Sequence, residues 1–157
     1  MIKAMREHDH RQRILTAILA FGIVSTALHF THNFVAIDQY PQSSAISNGA
    51  VRVAIAVSWP LLTAIGLVGY RLYARRDYPP AHICLAVYSA LPLATLGHFA
   101  VGSPDIPAFW YATIITDALA GVAMLAFVAL STLAVGPRAE PDQRRRLSSS
   151  TAPNRSP

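Results

Sequence analysis

Residues 14–35 read ILTAILAFGIVSTALHFTHNFV, a run that contains no Asp, Glu, Lys or Arg. A helix of about 20 predominantly apolar residues is long enough to cross a hydrocarbon layer about 30 Å thick. Three further apolar runs of comparable length follow at residues 51–72, 82–101 and 109–135. The sequence therefore predicts an all-α integral membrane bundle of four transmembrane helices.

Composition excludes a water-soluble helical domain. Hydrophobic residues make up 53% of the chain and charged residues 13%, whereas about 25% of a typical soluble protein is charged. Helices of a soluble bundle also need a polar face toward water, and the four runs have none. The net charge of +5 is compatible with nucleic acid, but the basic residues flank the apolar runs, so we expect a lipid bilayer as partner and no nucleic acid.

The distribution of basic residues predicts an orientation. Three segments that would share one side of the membrane hold nearly all of them: Lys3, Arg6, Arg11, Arg13; Arg71, Arg75, Arg76; and Arg138, Arg144, Arg145, Arg146, Arg155. The two connections on the other side hold one basic residue, Arg52. By the positive-inside rule both termini are expected in the cytoplasm (N-in/C-in), with the protein in the plasma (inner) membrane.

Three segments are expected along the chain. Residues 1–13 form a frayed cytoplasmic tail, residues 14–137 the transmembrane domain, and residues 138–157 a disordered basic cytoplasmic tail rich in Pro, Ser and Arg. Within the last segment, the basic run Arg144, Arg145 and Arg146 is expected to contact anionic lipid headgroups. A cleaved signal peptide is the alternative for the first run, but that run continues past the small residues Ser25 and Ala27 to Val35.

One stretch, residues 28–34 (LHFTHNF), places polar side chains near the outer end of the first run. Spacings of three or four residues put small and polar residues on one stripe of a helix, namely Gly22, Ser25, His29, His32 and Asn33. Helix rise of 1.5 Å per residue, together with the lean of side chains toward each helix N-terminus, brings four groups toward a common level in the outer half of the bilayer: His29, His32, His98 and Asp117. Asp117 is the only charged residue in the middle of a predicted span, where it costs about 2.5–3.5 kcal/mol. We expect these histidines to be its partners.

Three imidazoles and one carboxylate suit a divalent metal. Zinc prefers nitrogen and oxygen ligands in tetrahedral geometry, so a metal site, with zinc favoured, is predicted at His29, His32, His98 and Asp117. A metal-bound water at this site could support hydrolysis. Whether the protein is an enzyme is left open. Asp38 is either a further ligand or an ordinary loop aspartate. No His-Glu-x-x-His or paired-cysteine motif accompanies the set, and the single cysteine, Cys84, excludes an intramolecular disulfide.

Two alternatives remain. Haem b, ligated by His29 and His98 with Gly22 and Gly97 making room for the ring, is one. The other is a non-enzymatic membrane component whose polar cluster serves helix packing or assembly with other membrane subunits.

Smaller expectations concern packing. His8-Asp9-His10 is interpreted as part of a solvated tail, Gly66 and Gly69 as points of close helix contact, and Tyr70, Tyr73 and Tyr78 as an aromatic girdle at the inner interface.

Overall fold

The structure is a computed structural model that describes residues 2–41 and 46–135. Within these two ranges the chain is helical and contains no β-strand. The elements are α1 (Ile2–Val35), a 3-10 turn (Ile37–Gln39), α2 (Asn48–Ala74), α3 (Tyr78–Ala94), a second 3-10 turn (Thr95–Gly97), α4 (His98–Val101) and α5 (Ala108–Val135).

Four helical segments are long and apolar enough to cross a membrane. They are Met5–Val35, Asn48–Ala74, Tyr78–Ala100 and Ala108–Val135, with mean hydropathies of 1.9, 1.9, 1.6 and 2.3 over their most apolar windows. The 27 residues of α2 extend about 40 Å at 1.5 Å per residue, more than a hydrocarbon layer requires. The prediction of an all-α fold with four helices long and apolar enough to cross a membrane is confirmed. The membrane topology and the orientation of the termini stay predictions.

The outward faces of these helices are apolar. Large hydrophobic side chains remain exposed on every span, for example Val24, Val53, Ile83 and Leu133, the last of them 74% exposed. Contiguous apolar surface of this extent is unfavourable in water but matches a hydrocarbon environment. The apolar surface therefore fits a protein that lies in a bilayer.

The helices are held together by close packing around a shared core. Helix α3 packs between α2 and α5, and α1 packs against α5 and α2. Where α2 meets α3, a Cβ atom on Gly66 would lie 2.8 Å from the Tyr88 ring, and one on Gly69 would lie 3.0 Å from Cys84 and Leu85. The predicted role of these two glycines in close helix contact is confirmed.

The first helix is longer than expected. It begins at Ile2 rather than at residue 14, so the described part of the expected frayed tail is helical. An ion pair between Glu7 and Arg11, one turn apart, supports this extension. His8 is buried, with its ring stacked on Tyr73 at a centroid separation of 5.6 Å. The expectation of a solvated His8 was therefore wrong, because α1 begins before residue 14 and its N-terminal part packs on Tyr73 of α2.

Tyr73 also differs from its predicted role. It is 1% exposed and belongs to the core, so it is not part of an interfacial girdle. The predicted basic tail, including Arg144, Arg145 and Arg146, lies outside the described residues, as do residues 136 and 137 of the predicted transmembrane domain.

Candidate functional site

A buried histidine–aspartate pair joins α1 to α5. His29 Nδ1 lies 2.8 Å from Asp117 Oδ2, and both side chains are 0% exposed. The prediction that Asp117 has a histidine partner is confirmed. A carboxylate can only accept hydrogen bonds, so with Asp117 ionised the hydrogen sits on His29 Nδ1. A neutral His29 then presents a lone pair at Nε2.

The second oxygen of Asp117 is also occupied. Ser25, one turn before His29 on α1, donates its hydroxyl to Asp117 Oδ1 at 2.5 Å. Ser25 Oγ is in turn 2.7 Å from Thr116 Oγ1. The polar stripe predicted on α1 thus faces the polar residues of α5, since a spacing of four residues places Ser25 and His29 on the same face.

His98 reaches the pair from the corner after α3. That helix gives way to a 3-10 turn and then to α4, which begins at His98. Thr95 stabilises the corner by donating its hydroxyl to the carbonyl of Pro92 at 2.7 Å. As a result the His98 ring lies 5.3 Å from the His29 ring, centroid to centroid.

Asn33 completes this side of the cluster. Its Nδ2 atom lies 3.2 Å from His98 Nε2, while its buried Oδ1 has no hydrogen-bond partner among the described residues. Which of the two side-chain amide atoms of Asn33 is nitrogen and which is oxygen is assigned from the hydrogen-bond network. If they are exchanged, Oδ1 accepts from a His98 Nε2–H and the carbonyl is satisfied.

Tyr40 closes the cluster from the loop after α1. The 3-10 turn at Ile37–Gln39 folds this loop inward, and Tyr40 becomes 3% exposed. Its ring lies 4.9 Å from the His98 ring and 6.0 Å from the His29 ring, between centroids. Burial, and secondarily the negative charge of Asp117, raises the pKa of Tyr40 to about 12. Sequence reasoning missed this residue, and the only signal was an aromatic side chain in an otherwise polar loop.

His32 points away from the pair. Its Nδ1 lies 2.8 Å from the Tyr40 hydroxyl, and its ring stacks on Trp110 at 4.2 Å. Of the four predicted metal ligands, the structure therefore brings together His29, His98 and Asp117, and it places His32 in a separate aromatic contact.

The predicted metal site is not supported by this arrangement. No group of three or more His, Cys, Asp or Glu side chains in residues 2–41 and 46–135 is placed to hold a metal ion. Both oxygens of Asp117 are engaged by Ser25 and His29. Asp38 is exposed and accepts a hydrogen bond from Asn48 Nδ2 at 2.7 Å, as an ordinary loop aspartate does.

The space predicted for a haem ring at Gly22 is filled. A Cβ atom on Gly22 would lie 2.9 Å from the Tyr88 hydroxyl. Tyr88 is itself 1% exposed, so the lack of a side chain at Gly22 leaves room for the Tyr88 hydroxyl. At Gly97 a Cβ atom would meet nothing within 4 Å.

A second polar cluster at the other end of the bundle was not predicted. His82 Nε2 lies 3.0 Å from Ser131 Oγ, and its Nδ1 lies 3.1 Å from Thr132 Oγ1. Ser131 donates to the Tyr73 hydroxyl at 3.3 Å. These contacts tie α3 to α5 and α2. The signal in the sequence was His82 at the start of the third apolar run, which alone does not identify its partners.

Fold and site together define an all-helical protein with four membrane-compatible spans and a buried polar cluster between the first and last of them. No protein-family model matches the chain, and neither a curated protein nor a solved structure is significantly similar to it.

Proposed function

We propose that this chain is a multi-pass integral membrane protein whose His29–Asp117 cluster acts as a polar lock, a set of hydrogen bonds that fixes the first helix against the last. It is inserted with both termini in the cytoplasm, and the cluster lies in the outward half of the bilayer. The observation that carries the proposal is the fully buried pair of His29 and Asp117.

The hydrogen bonds between α1 and α5 support a packing role. Asp117 accepts from Ser25 and is paired with His29, and His32 is paired with Tyr40. In hydrocarbon a polar group without a partner costs several kcal/mol. The lock therefore penalises any arrangement in which α1 and α5 separate or rotate, and it selects one helix packing over others. A protein with such a lock also suits assembly with other membrane subunits, because its own helix order is already specified.

The charge distribution supports the orientation. Arg6, Arg11 and Arg13 lie near the start of α1, and Arg71, Arg75 and Arg76 lie at the end of α2. These two helix ends belong to the same side of the bundle, since α1 and α2 are consecutive spans. Basic residues are retained on the cytoplasmic side during insertion.

A divalent metal held by His29 and His98 is the second candidate. Its support is His29 Nε2, which is buried and has no hydrogen-bond partner in the described part of the chain, while Asp117 orients the ring through Nδ1. Histidines that bind a metal through one ring nitrogen commonly donate the N–H of the other ring nitrogen to a carboxylate. Two imidazoles on one tetrahedral zinc have ring centroids about 5 Å apart, close to the 5.3 Å between His29 and His98. In this version Asp117 orients a ligand and does not bind the ion. Haem between the same two histidines ranks below it because Tyr88 fills the space at Gly22.

One experiment separates these candidates. The full-length protein is purified without chelator, its metal content is measured by elemental analysis, and its absorbance is recorded for haem. If the cluster is a polar lock, we expect less than about 0.1 metal ion per chain, well below the one ion of a structural site. We also expect Asp117→Leu to have a lower unfolding midpoint than the wild type. Stoichiometric zinc that disappears in both His29→Ala and His98→Ala, but persists in His10→Ala, would overturn the lock in favour of the metal site.

A further inference from the structure

Two cavities meet at Arg11, at the end of the bundle opposite the polar lock. One is a groove of about 500 Å³ between α1 and α5. The other is a recess of about 290 Å³ at the helix ends. Arg11 lines both of them, so the mainly apolar groove and the charged recess are adjacent at this residue.

The groove is suited to an acyl chain. Its walls are mainly apolar, with Ile14 and Ile18 on α1 and Ala126 and Leu130 on α5, and the polar residues His10 and Ser131 also line it. Small alanines on α5 leave room between the helices at membrane depth. Because the groove opens sideways between two spans, a lipid tail can enter it from the bilayer.

The recess is suited to an anionic headgroup. Two guanidinium groups, from Arg11 and Arg76, line it together with His8 and Tyr78, whose side chains are 3.1 Å apart (Tyr78 hydroxyl to His8 Nδ1). One carboxylate, Glu7, lines it as well and pairs with Arg11. The one carboxylate offsets one of the two guanidinium groups, so the recess carries a net positive charge.

Arg76 occupies a position that favours glycine. Its φ is 65°, the only positive value for a non-glycine residue in the described ranges. It follows the last turn of α2, where the amide of Asp77 bonds back to the carbonyl of Leu72 and the amide of Arg76 to that of Tyr73. Glycine is the usual residue at this point of such a helix end. Arg76 thus adopts a backbone conformation that is less favourable for arginine than for glycine, and its side chain lines the recess.

We propose that the groove and recess bind one anionic phospholipid, with the phosphate at Arg76 and Arg11 and an acyl chain along Ile14, Ile18 and Ala126. The site deepens the proposed membrane function and rests on it. Basic groups near a membrane surface attract anionic lipids of the adjoining leaflet. The apolar groove adds a contact that a free phosphate does not make.

The test uses the full-length protein in mild detergent. Equal amounts of phosphatidylglycerol and phosphatidylcholine with identical acyl chains are added, and bound lipid is counted by native mass spectrometry. Phosphatidylglycerol is expected to be retained about fivefold over phosphatidylcholine, the factor expected for one basic group beside an anionic headgroup. In Arg76→Gln the ratio falls to about one, whereas in Arg75→Gln it is unchanged. Arg75 is the matched control because it is the exposed neighbour and lines neither cavity.

Further variants separate binding from folding. Arg76→Gly removes the unfavourable φ, so we expect it to unfold at the same or higher temperature while losing the lipid preference. Glu7→Gln removes the competing carboxylate and should raise the ratio. Ala126→Phe fills the groove and should lower retention of both lipids, while Ala129→Phe, exposed on the same helix and lining neither cavity, should not.

Three results would overturn the proposal. A wild-type ratio near one removes the site, and an equal loss in Arg75→Gln shows general surface charge. If inorganic phosphate displaces the lipid fully and Ala126→Phe has no effect, the recess binds a soluble anion instead. A negative result for lipid binding is distinguishable from a negative result for the polar lock, because the unfolding measurement on Asp117→Leu tests the other half of the bundle.

Discussion

His29 and Asp117 lie 88 residues apart in the sequence, yet their side chains form a hydrogen bond of 2.8 Å in a fully buried position. The pair connects the first membrane-compatible helix to the last. Helix α1 also packs on α2, and α5 also packs on α3, so the contact between α1 and α5 completes a ring of four helices. Removal of either partner leaves a charge or an imidazole without compensation in a low-dielectric interior.

Replacement of Asp117 by Leu should destabilise the protein by about 3–5 kcal/mol, since breaking a buried pair leaves His29 Nδ1 without its partner. The free energy of unfolding is measured by SDS titration in mixed micelles. The double variant His29→Phe with Asp117→Leu should recover part of the loss, because both polar partners are then replaced by apolar groups. Asp105→Leu, at an exposed loop position, serves as control and should change stability by less than about 0.5 kcal/mol. Equal, small effects of Asp117→Leu and Asp105→Leu would rule out the polar lock.

Tyr40 should make the protein sensitive to alkaline pH. Its pKa of about 12 in the folded protein exceeds the usual value of about 10 for an unfolded tyrosine. Below pH 10 the phenol is neutral in both states and its contribution is fully present. Between pH 10 and 12 only the unfolded state ionises, so stability falls as pH rises. The unfolding midpoint of the wild type should therefore decrease more steeply than that of Tyr40→Phe across this window.

The matching spectroscopic measurement is tyrosine absorbance near 295 nm. The difference between the wild type and Tyr40→Phe should show one phenol that titrates near pH 12. A difference curve centred at pH 10 would mean that Tyr40 is exposed and that the loop does not close over His29 and His98.

Gly121 and Gly66 should not tolerate alanine. A Cβ atom on Gly121 would lie 2.7 Å from Leu93 Cγ and 3.3 Å from the Leu93 backbone nitrogen, and one on Gly66 would lie 2.8 Å from the Tyr88 ring. Overpacking of this kind typically costs 1–3 kcal/mol. At Gly97 a Cβ atom would meet nothing within 4 Å, so Gly97→Ala is the control and should leave stability unchanged or raised by up to about 1 kcal/mol. Thermal unfolding followed by circular dichroism measures all three, and an unaffected Gly121→Ala would contradict the close contact of α3 and α5.

The orientation can be tested with single cysteines. In a Cys84→Ala background, Asp38→Cys lies in the loop after α1 and Arg75→Cys follows α2. A membrane-impermeant maleimide added to intact cells should label position 38 but not position 75, because the arginine-rich side is expected in the cytoplasm. Labelling of position 75 before permeabilisation would reverse the proposed topology.

The four spans were predictable because transmembrane helices are specified by local hydrophobicity and length. The stripe of Ser25, His29 and Asn33 was equally predictable, since helical periodicity alone places these residues on one face. The start of α1 at Ile2 was not predictable, because residues 2–13 are mostly polar and the contact of His8 with Tyr73 joins residues distant in sequence. Tyr40 was missed for a related reason, since its burial depends on tertiary contacts with His29 and His98.

By itself, the sequence determined the fold class, the four apolar segments and the presence of a costly acid at position 117 that required a partner. Only the tertiary structure decided which histidine that partner is, that His32 pairs with Tyr40 and Trp110 instead, and that Tyr88 fills the space beside Gly22. The physical reason is the range of the interactions. Hydrophobicity and helical periodicity act along a few neighbouring residues, whereas the choice among competing imidazoles depends on how helices distant in sequence pack against one another.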